Sequence, residues 1–430
     1  MKKAFSLLPF LVFLITFVTL NFMYPNVATY IKDDFPIFAA FIAIIIAFFT
    51  FQPKTPLNNK INVFVQGAAQ PLIIHMCFIF LMSTVFMHVL DKIGGVQSIV
   101  NMSLLMISSS YILPGMFIIT SLFSFVIGSS MGTIAACMPI AHAIASTLTI
   151  HPALMAGTVV CGSMFGDNLS ILSDTTIAAV QITGCNMKEK LKENFSFVLP
   201  ASLISIIILY YFNQQIAHST LPISSAITNT DLIKVLPYAS IFMLALYGLD
   251  ILIVLSLGTI LATGVGLYLN SFTFIETTTF IFNGFYQSKG MVAVFILILF
   301  LAGLSKIVEH NGGISYLLQI IQKHATSTRS TKFTIFMLVC AINITIAINT
   351  ISILITGPVA KKLGSNKINK AEIATILDLG ACITQGILPY SPQILLATSM
   401  SMISPLSIMP YLYYQYILLA IFLMKIHIKK

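Results

Sequence analysis

Residues Cys161–Thr183 read CGSMFGDNLSILSDTTIAAVQIT, with two carboxylates, Asp167 and Asp174, set in an otherwise apolar run. On an unbroken helix Ser163, Asp167, Ser170 and Asp174 follow at steps of four, three and four, and so share one face. If Gly166 or the run Asn168–Ser173 opens the helix instead, freed backbone carbonyls join the same cluster. Both readings put a polar site at membrane depth. An ionisable side chain is costly there, and its default reading is functional.

The rest of the chain supplies the membrane. Of 430 residues 57% are hydrophobic and only 8% charged, with a mean hydropathy of +0.97, whereas a soluble domain carries about a quarter charged residues. Apolar segments of spanning length recur from end to end. The chain is therefore a polytopic membrane protein. A net charge of +9 would suggest nucleic acid as partner of a soluble protein. Here the lysines flank apolar segments, so the charge is topological and no nucleic-acid partner is expected. The six cysteines (77, 137, 161, 185, 340 and 382) have no paired spacing, which indicates neither a disulfide framework nor a resident metal. Met1-Lys2-Lys3 and the apolar run to Phe22 look like a signal peptide. No small-x-small cleavage site follows closely, so the run reads as an uncleaved first helix.

Spans are read near 5–22, 36–52, 70–90, 153–183, 195–213, 233–248, 250–269, 290–308, 371–404 and 407–427. Two further apolar stretches, 114–147 and 333–363, are interrupted midway, by Gly128–Thr133 (GSSMGT) and by Asn349–Ser352 (NTIS). Each arm is then short for a crossing. Both fit re-entrant hairpins, whose non-helical tips are tolerated only where they line a cavity. With the N-terminus inside, ten crossings and two hairpins return the C-terminus to the cytoplasm. The basic loops at 54–60, 188–192, 323–332 and 361–370 then face inward. Of 22 Lys and Arg only Lys32, Lys92, Lys234 and Lys289 lie outside, which satisfies the positive-inside rule for an inner (plasma) membrane protein.

The halves resemble each other. Phe78–Gly95 ends Asp91-Lys92-Ile93-Gly94-Gly95, and Phe295–Gly313 ends Glu309-His310-Asn311-Gly312-Gly313. Ser130 then pairs with Asn349, Pro139 with Pro358, and the interrupted span 153–183 with 371–404. An odd number of crossings per half requires the second to be inverted. The expected fold is thus all-α, with two inverted repeats of about five transmembrane helices, each holding a re-entrant hairpin and a broken helix. The first repeat covers 1–213, a polar periplasmic linker 214–231, and the second repeat 232–430.

Such transporters place substrate near the midplane, where interrupted helices from both halves meet. That selects Gly128–Thr133 and Gly166–Thr175, with Ser129, Ser130, Thr133, Asp167, Asn168, Ser170, Ser173, Asp174 and Thr175 as candidates. The second half contributes Ala347–Ser352 and Thr384–Gln393 (TQGILPYSPQ), with candidates Asn349, Thr350, Asp378, Tyr390 and Ser391, and Pro389 and Pro392 mark its break. Hydroxyls and carbonyls suit Na⁺, a hard cation, and Asp167, Asp174, Ser170 and Ser173 form its expected ligand set. Removal from water favours the neutral carboxyl, so such a group can hold a proton and yield it to a competing cation. One site that takes either H⁺ or Na⁺, exposed to each side in turn, is an antiporter.

Plainer readings hold elsewhere. Ser163 and Thr176 alone read as structural, because intramembrane hydroxyls mostly bond to neighbouring helices or their own backbone. No Lys or Arg lies within 153–183 to pair with either aspartate. Asp378 reads either as a site residue or as one near the cytoplasmic end of its span. Asp250, at an inter-helix turn, and Glu276, in an outer amphipathic loop, read as solvated, and His75 and His142 as packing residues. No phosphate-binding glycine loop is present, so no nucleotide and no cofactor is expected beyond the transported ions. Intramembrane aspartyl proteolysis needs carboxylates from different helices, and a channel needs a repeated filter sequence. Neither is here.

Residues Gly162–Thr176, GSMFGDNLSILSDTT, resemble the signature of the NhaC-type sodium/proton antiporter family, roughly G-S-x-F-G-D-K-x-S-P-L-S-D-T-T. The second-half element Pro389-Tyr390-Ser391 is similar to the family's P-W-[ST]. The resemblance runs along most of the chain. It implies the ion-transporter superfamily fold, transport coupled to a Na⁺ gradient, and a homodimer. Asn168 stands where the family usually has Lys, Ile171 where it has Pro, and Tyr390 where it has Trp. Losing a cation beside Asp167 changes how that carboxylate titrates, and relatives include exchangers of organic acids. Two activities follow: export of cytoplasmic Na⁺ for external H⁺, or Na⁺-coupled transport of a small organic acid or amino acid.

Overall fold

In lipid a helix satisfies its own backbone, and the chain obeys this wherever its apolar runs permit. The structure, a computed structural model, describes residues 4–24, 34–50, 55–106, 111–215, 228–286, 289–365 and 367–428, and is helical with no strand among them. Most of the expected linker 214–231 lies outside the described residues.

The first half runs α1 (Leu8–Met23), α2 (Phe35–Thr50), amphipathic α3 (Leu57–Ala68), α4 (Pro71–Lys92) and α5 (Gly95–Met106). Then come the hairpin arms α6 (Ile112–Ile127) and α7 (Ser130–Thr147), the broken pair α8 (Pro152–Leu169) and α9 (Asp174–Thr183), and α10 (Met187–Gln215). The second half repeats the order: α11 (Asn229–Leu246), α12 (Ile251–Tyr268), α13 (Phe274–Tyr286), α14 (Lys289–His310) and α15 (Gly313–Ile321). Arms α16 (Thr328–Ile346) and α17 (Asn349–Gly364) follow, then the pair α18 (Lys370–Ile387) and α19 (Pro392–Met400), short α20 (Pro405–Ile408) and α21 (Tyr413–Ile428).

Seven helices among the described residues are long and apolar enough to cross a membrane, eight if the pair Pro405–Tyr411 and Tyr413–Ile426, bent by 57°, counts as one. This is fewer than ten, for physical reasons. Helix α2 has only 16 residues, and the span read at 153–183 is two shorter pieces. The second hairpin departs in the other direction. Its arm α16 has 19 residues and is apolar enough to cross alone. It starts at Thr328, before the expected 333, because Ser327 and Ser330 form a capping box and Lys332 pairs with Glu372 at 2.6 Å.

Several helix boundaries of the two halves correspond. Pro152, Leu169 and Asp174 bound α8 and α9, and Lys370, Ile387 and Pro392 bound α18 and α19, 218 residues later in each case. At the hairpin tips Gly128 (φ 73, ψ 28) matches Ala347 (φ 56, ψ 26), and Ser129 (φ −147, ψ 113) matches Ile348 (φ −134, ψ 109). Ala347 is held left-handed, which costs a non-glycine residue about 1–2 kcal/mol. Cross-links repeat too: Ser124 Oγ donates to the Ser163 carbonyl at 2.6 Å, and Asn343 Nδ2 donates to the Ala381 carbonyl at 2.7 Å.

The halves are also interlocked. Helix α9 packs on α17 and α19 on α7, while α3 packs on α14 and α13 on α4. Helix α6 packs closely on α8, where a Cβ at Gly162 would overlap Thr120 and the Phe117 carbonyl, and one at Gly166 the Ser121 carbonyl. Small residues four apart let membrane helices meet this closely. Gly166→Ala should therefore cost about 1–3 kcal/mol through overpacking. Gly264→Ala, whose Cβ would meet nothing within 4 Å, should be neutral or better. Thermal midpoints by fluorescence-detected size exclusion check this contrast.

Candidate ion-binding site

The break opens at Ser170–Ser173. Ser170 (φ −71, ψ 135) ends α8 in extended backbone and Ser173 (φ −63, ψ 130) starts α9 from it. Asp167 therefore lies in the last turn of α8 and Asp174 in the first turn of α9, and the continuous-face reading gives way to the opened one. Asp167 is 5% exposed. The hydroxyls of Ser173 and Ser130 and the like charges of Asp378 and Asp174 act on it. One carboxylate oxygen, Oδ1, is buried without any partner. A buried lone-pair donor is costly to leave unmatched, so this atom points to a bound species.

A cavity of about 250 Å³ opens onto Asp167. From the expected set its wall carries Asp167, Ser173, Asp174, Thr175, Ser129 and Ser130, joined from the second half by Asn349 and Thr350. Ser173 and Thr175 share a hydrogen bond of 2.9 Å. All these donors are oxygen or amide groups, which fit a proton or a hard cation and offer nothing to a soft metal.

Other expected residues lie off the wall. Ser170 Oγ accepts from the Leu172 amide at 3.2 Å, and Thr133 Oγ1 donates to the Ser129 carbonyl at 2.9 Å. Ser391 Oγ caps α19, accepting from the Ile394 amide at 3.4 Å. Tyr390 donates to the Ile344 carbonyl at 2.8 Å and sets its ring edge-on to Phe10 and Phe13. Asn168 faces away, donating from Nδ2 to the Tyr414 hydroxyl at 2.9 Å.

Behind Asp167 is a buried ion pair. Lys190 Nζ lies 2.5 Å from Asp378 Oδ2, both side chains 0% exposed. Lys190 also donates to Thr176 Oγ1 at 2.5 Å. Asn194 Nδ2 donates to Asp378 at 2.9 Å and to the Asn168 carbonyl at 3.0 Å. The sequence reading put 188–192 in a cytoplasmic loop. Lys188 and Lys192 are indeed exposed, but Lys190 is the inward residue between them. The missed signal was its helical phase: Lys190, Asn194, Phe197, Ala201 and Ser205 form one buried stripe of α10.

The cavity mouth holds a second surprise. His75 Nε2 lies 3.3 Å from Asp250 Oδ2, and both line the cavity with Asp174. Asp250 also caps α12 by accepting from the Leu252 amide at 2.8 Å. A second cavity of about 500 Å³ touches Thr84, His88 and Asp91 of α4 and His142 of α7. Its α4 residues continue the run of Leu72, His75, Met76 and Ile79 from the first cavity. The two cavities thus lie against opposite ends of α4, and the first of them reaches Asp167.

Interrupted helices that bring oxygen donors to a buried carboxylate define the class: a multi-pass membrane transporter. The chain belongs to the Na⁺/H⁺ antiporter family, whose sequence profile matches residues 4–214 and 216–427. This is a family of transporters and not an enzyme class. The chain is 27% identical to the Na⁺/H⁺ antiporter NhaC of Bacillus subtilis (strain 168) over 345 residues, 72% of this chain and 75% of that protein. It is 32% identical to the NhaC of Alkalihalophilus pseudofirmus over 127 residues, 30% of this chain and 28% of that one. A malate-2H⁺/Na⁺-lactate antiporter of B. subtilis is 21% identical over 350 residues, 75% of each chain.

Proposed function

We propose that the protein is a secondary Na⁺/H⁺ antiporter that exchanges cytoplasmic Na⁺ for external H⁺ by alternating access to Asp167. The observation that carries this reading is the buried, unpartnered Asp167 Oδ1 at the end of a cavity ringed by hydroxyls. A proton satisfies that oxygen by turning it into a donor, and Na⁺ satisfies it by coordination. Ser130, Ser173 and Thr175 complete the Na⁺ shell, and Asn349 and Thr350 close it from the second half. Asp174, exposed at the mouth, raises the local cation concentration. The repeats are inverted and rock about the site. The protein sits in the plasma membrane with both termini cytoplasmic, as a homodimer.

In inside-out vesicles from cells lacking their own antiporters, NaCl should collapse a preformed proton gradient and choline chloride should not. A second reading, Na⁺-coupled exchange of a small organic acid, draws on the malate/lactate relative and on the larger cavity. No response to NaCl, together with Na⁺-dependent uptake of labelled lactate, would select it.

A further inference from the structure

Two buried amides lie between the second hairpin and Asp167 with no part in the exchange described so far. Gln385 holds on α18 the place that Asp167 holds on α8, and Gln393 lies next to the first residue of α19, as Thr175 does in α9. Their side chains are sealed from solvent, at 0% and 2% exposure. They form a chain of one polarity. The Asn349 backbone N–H donates to Gln385 Oε1 at 2.6 Å, and Gln385 Nε2 donates to Gln393 Oε1 at 2.7 Å. Gln393 Nε2 then donates to Ser130 Oγ at 3.3 Å, and Ser130 lines the same cavity as Asp167.

The polarity is forced. A backbone N–H can only donate, so it fixes which end of the Gln385 amide faces it, and each later link inherits that choice. Ser130 receives a hydrogen from Gln393, so its own hydrogen is free to point at the carboxylate. A second lone pair on Ser130 stays available to a cation. The chain runs from the tip of one hairpin to the tip of the other. In the first repeat the corresponding pair is Asp167 with Ser130; in the second it is neutral Gln385 with Asn349.

We propose that Gln385 and Gln393 are positioning residues for ion exchange: a relay that fixes the Ser130 oxygen with one lone pair turned to the cavity it shares with Asp167, and that ties the second hairpin tip to it. This rests on Asp167 being the exchanging group. Cutting the relay lets the Ser130 hydroxyl turn, and Na⁺ loses an oriented oxygen. Gln393→Leu leaves Ser130 without its incoming hydrogen, and Gln385→Leu leaves Gln393 without its own.

The test is a NaCl titration of Na⁺-driven proton flux in inside-out vesicles at fixed pH, normalised to protein present. Gln385→Leu and Gln393→Leu should raise the half-saturating NaCl about tenfold, on the order of one hydrogen bond, with a smaller change in maximal flux. Gln393→Asn keeps the amide but is one methylene too short, and it replaces the Leu variant if that fails to insert, with the same shift expected. A merely structural role lowers the amount of protein and leaves the half-saturating NaCl in place. An unmoved half-saturating NaCl in these variants, with exchange lost in Asp167→Asn, would overturn the relay and leave the antiport reading standing. Exchange surviving in Asp167→Asn would overturn the relay and the role of Asp167 together.

Discussion

Vesicles carrying Asp167→Asn should lose Na⁺-driven proton movement while the protein still inserts. The substitution keeps shape and hydrogen-bonding capacity but removes the charge and the proton. A cation about 4 Å from a carboxylate, at an effective dielectric of about 20, is held by about 4 kcal/mol, close to a thousandfold in affinity. Asp167 is nearly sealed from water, so little of that is screened. Asp174→Asn should act differently. Asp174 is exposed at the cavity mouth, where charge steers more than it binds, so only a several-fold rise in the half-saturating NaCl is expected. A NaCl titration of gradient collapse, with protein quantified by immunoblot, separates the two. Equal effects from both variants would mean that the ion is not held at Asp167 alone.

Lys190→Met should be the most destabilising single change outside the cavity wall. Lys190 and Asp378 neutralise each other with no solvent contact. Removing one partner of such a pair strands the other charge and costs about 3–5 kcal/mol. Removing both can be nearly neutral, because no uncompensated charge is left. The double variant Lys190→Met, Asp378→Leu should therefore recover much of the thermal midpoint lost in either single variant, read by size exclusion after heating. Single variants that melt with the wild type would remove the pair from the account of what holds α10 against α18.

The architecture was legible because its determinants are local. Glycine and serine runs interrupt apolar sequence at Gly128–Thr133, and helices α6 and α7 part there. The pairing of Ser130 with Asn349 and Pro139 with Pro358 could be read along the chain, and the tip dihedrals repeat in that register. The carboxylate at Asp167 stood out because the bilayer makes any charge conspicuous.

What could not be read was partnership. Hydropathy treats Lys190 as a marker of the cytoplasmic face, whichever side of its helix it occupies. Its partner is 188 residues away, a distance no local pattern spans. His75 and Asp250 each looked unremarkable, one on an apolar helix and one at a turn, and they become a cavity mouth only when α4 meets the start of α12. Gln385 and Gln393 lie inside the selected stretch Thr384–Gln393 but carry no charge, so nothing singled them out there, although the amides link both hairpins to the site.

In the proposed exchange Asp167 holds a proton which Na⁺ displaces. The most direct measurement needs no gradient: purified protein in detergent, in lightly buffered solution with a pH dye, receives a pulse of NaCl or choline chloride. The wild type should release protons on NaCl alone, and Asp167→Asn should release none. Equal release from Asp167→Asn would place the exchanging proton on another group and contradict the account.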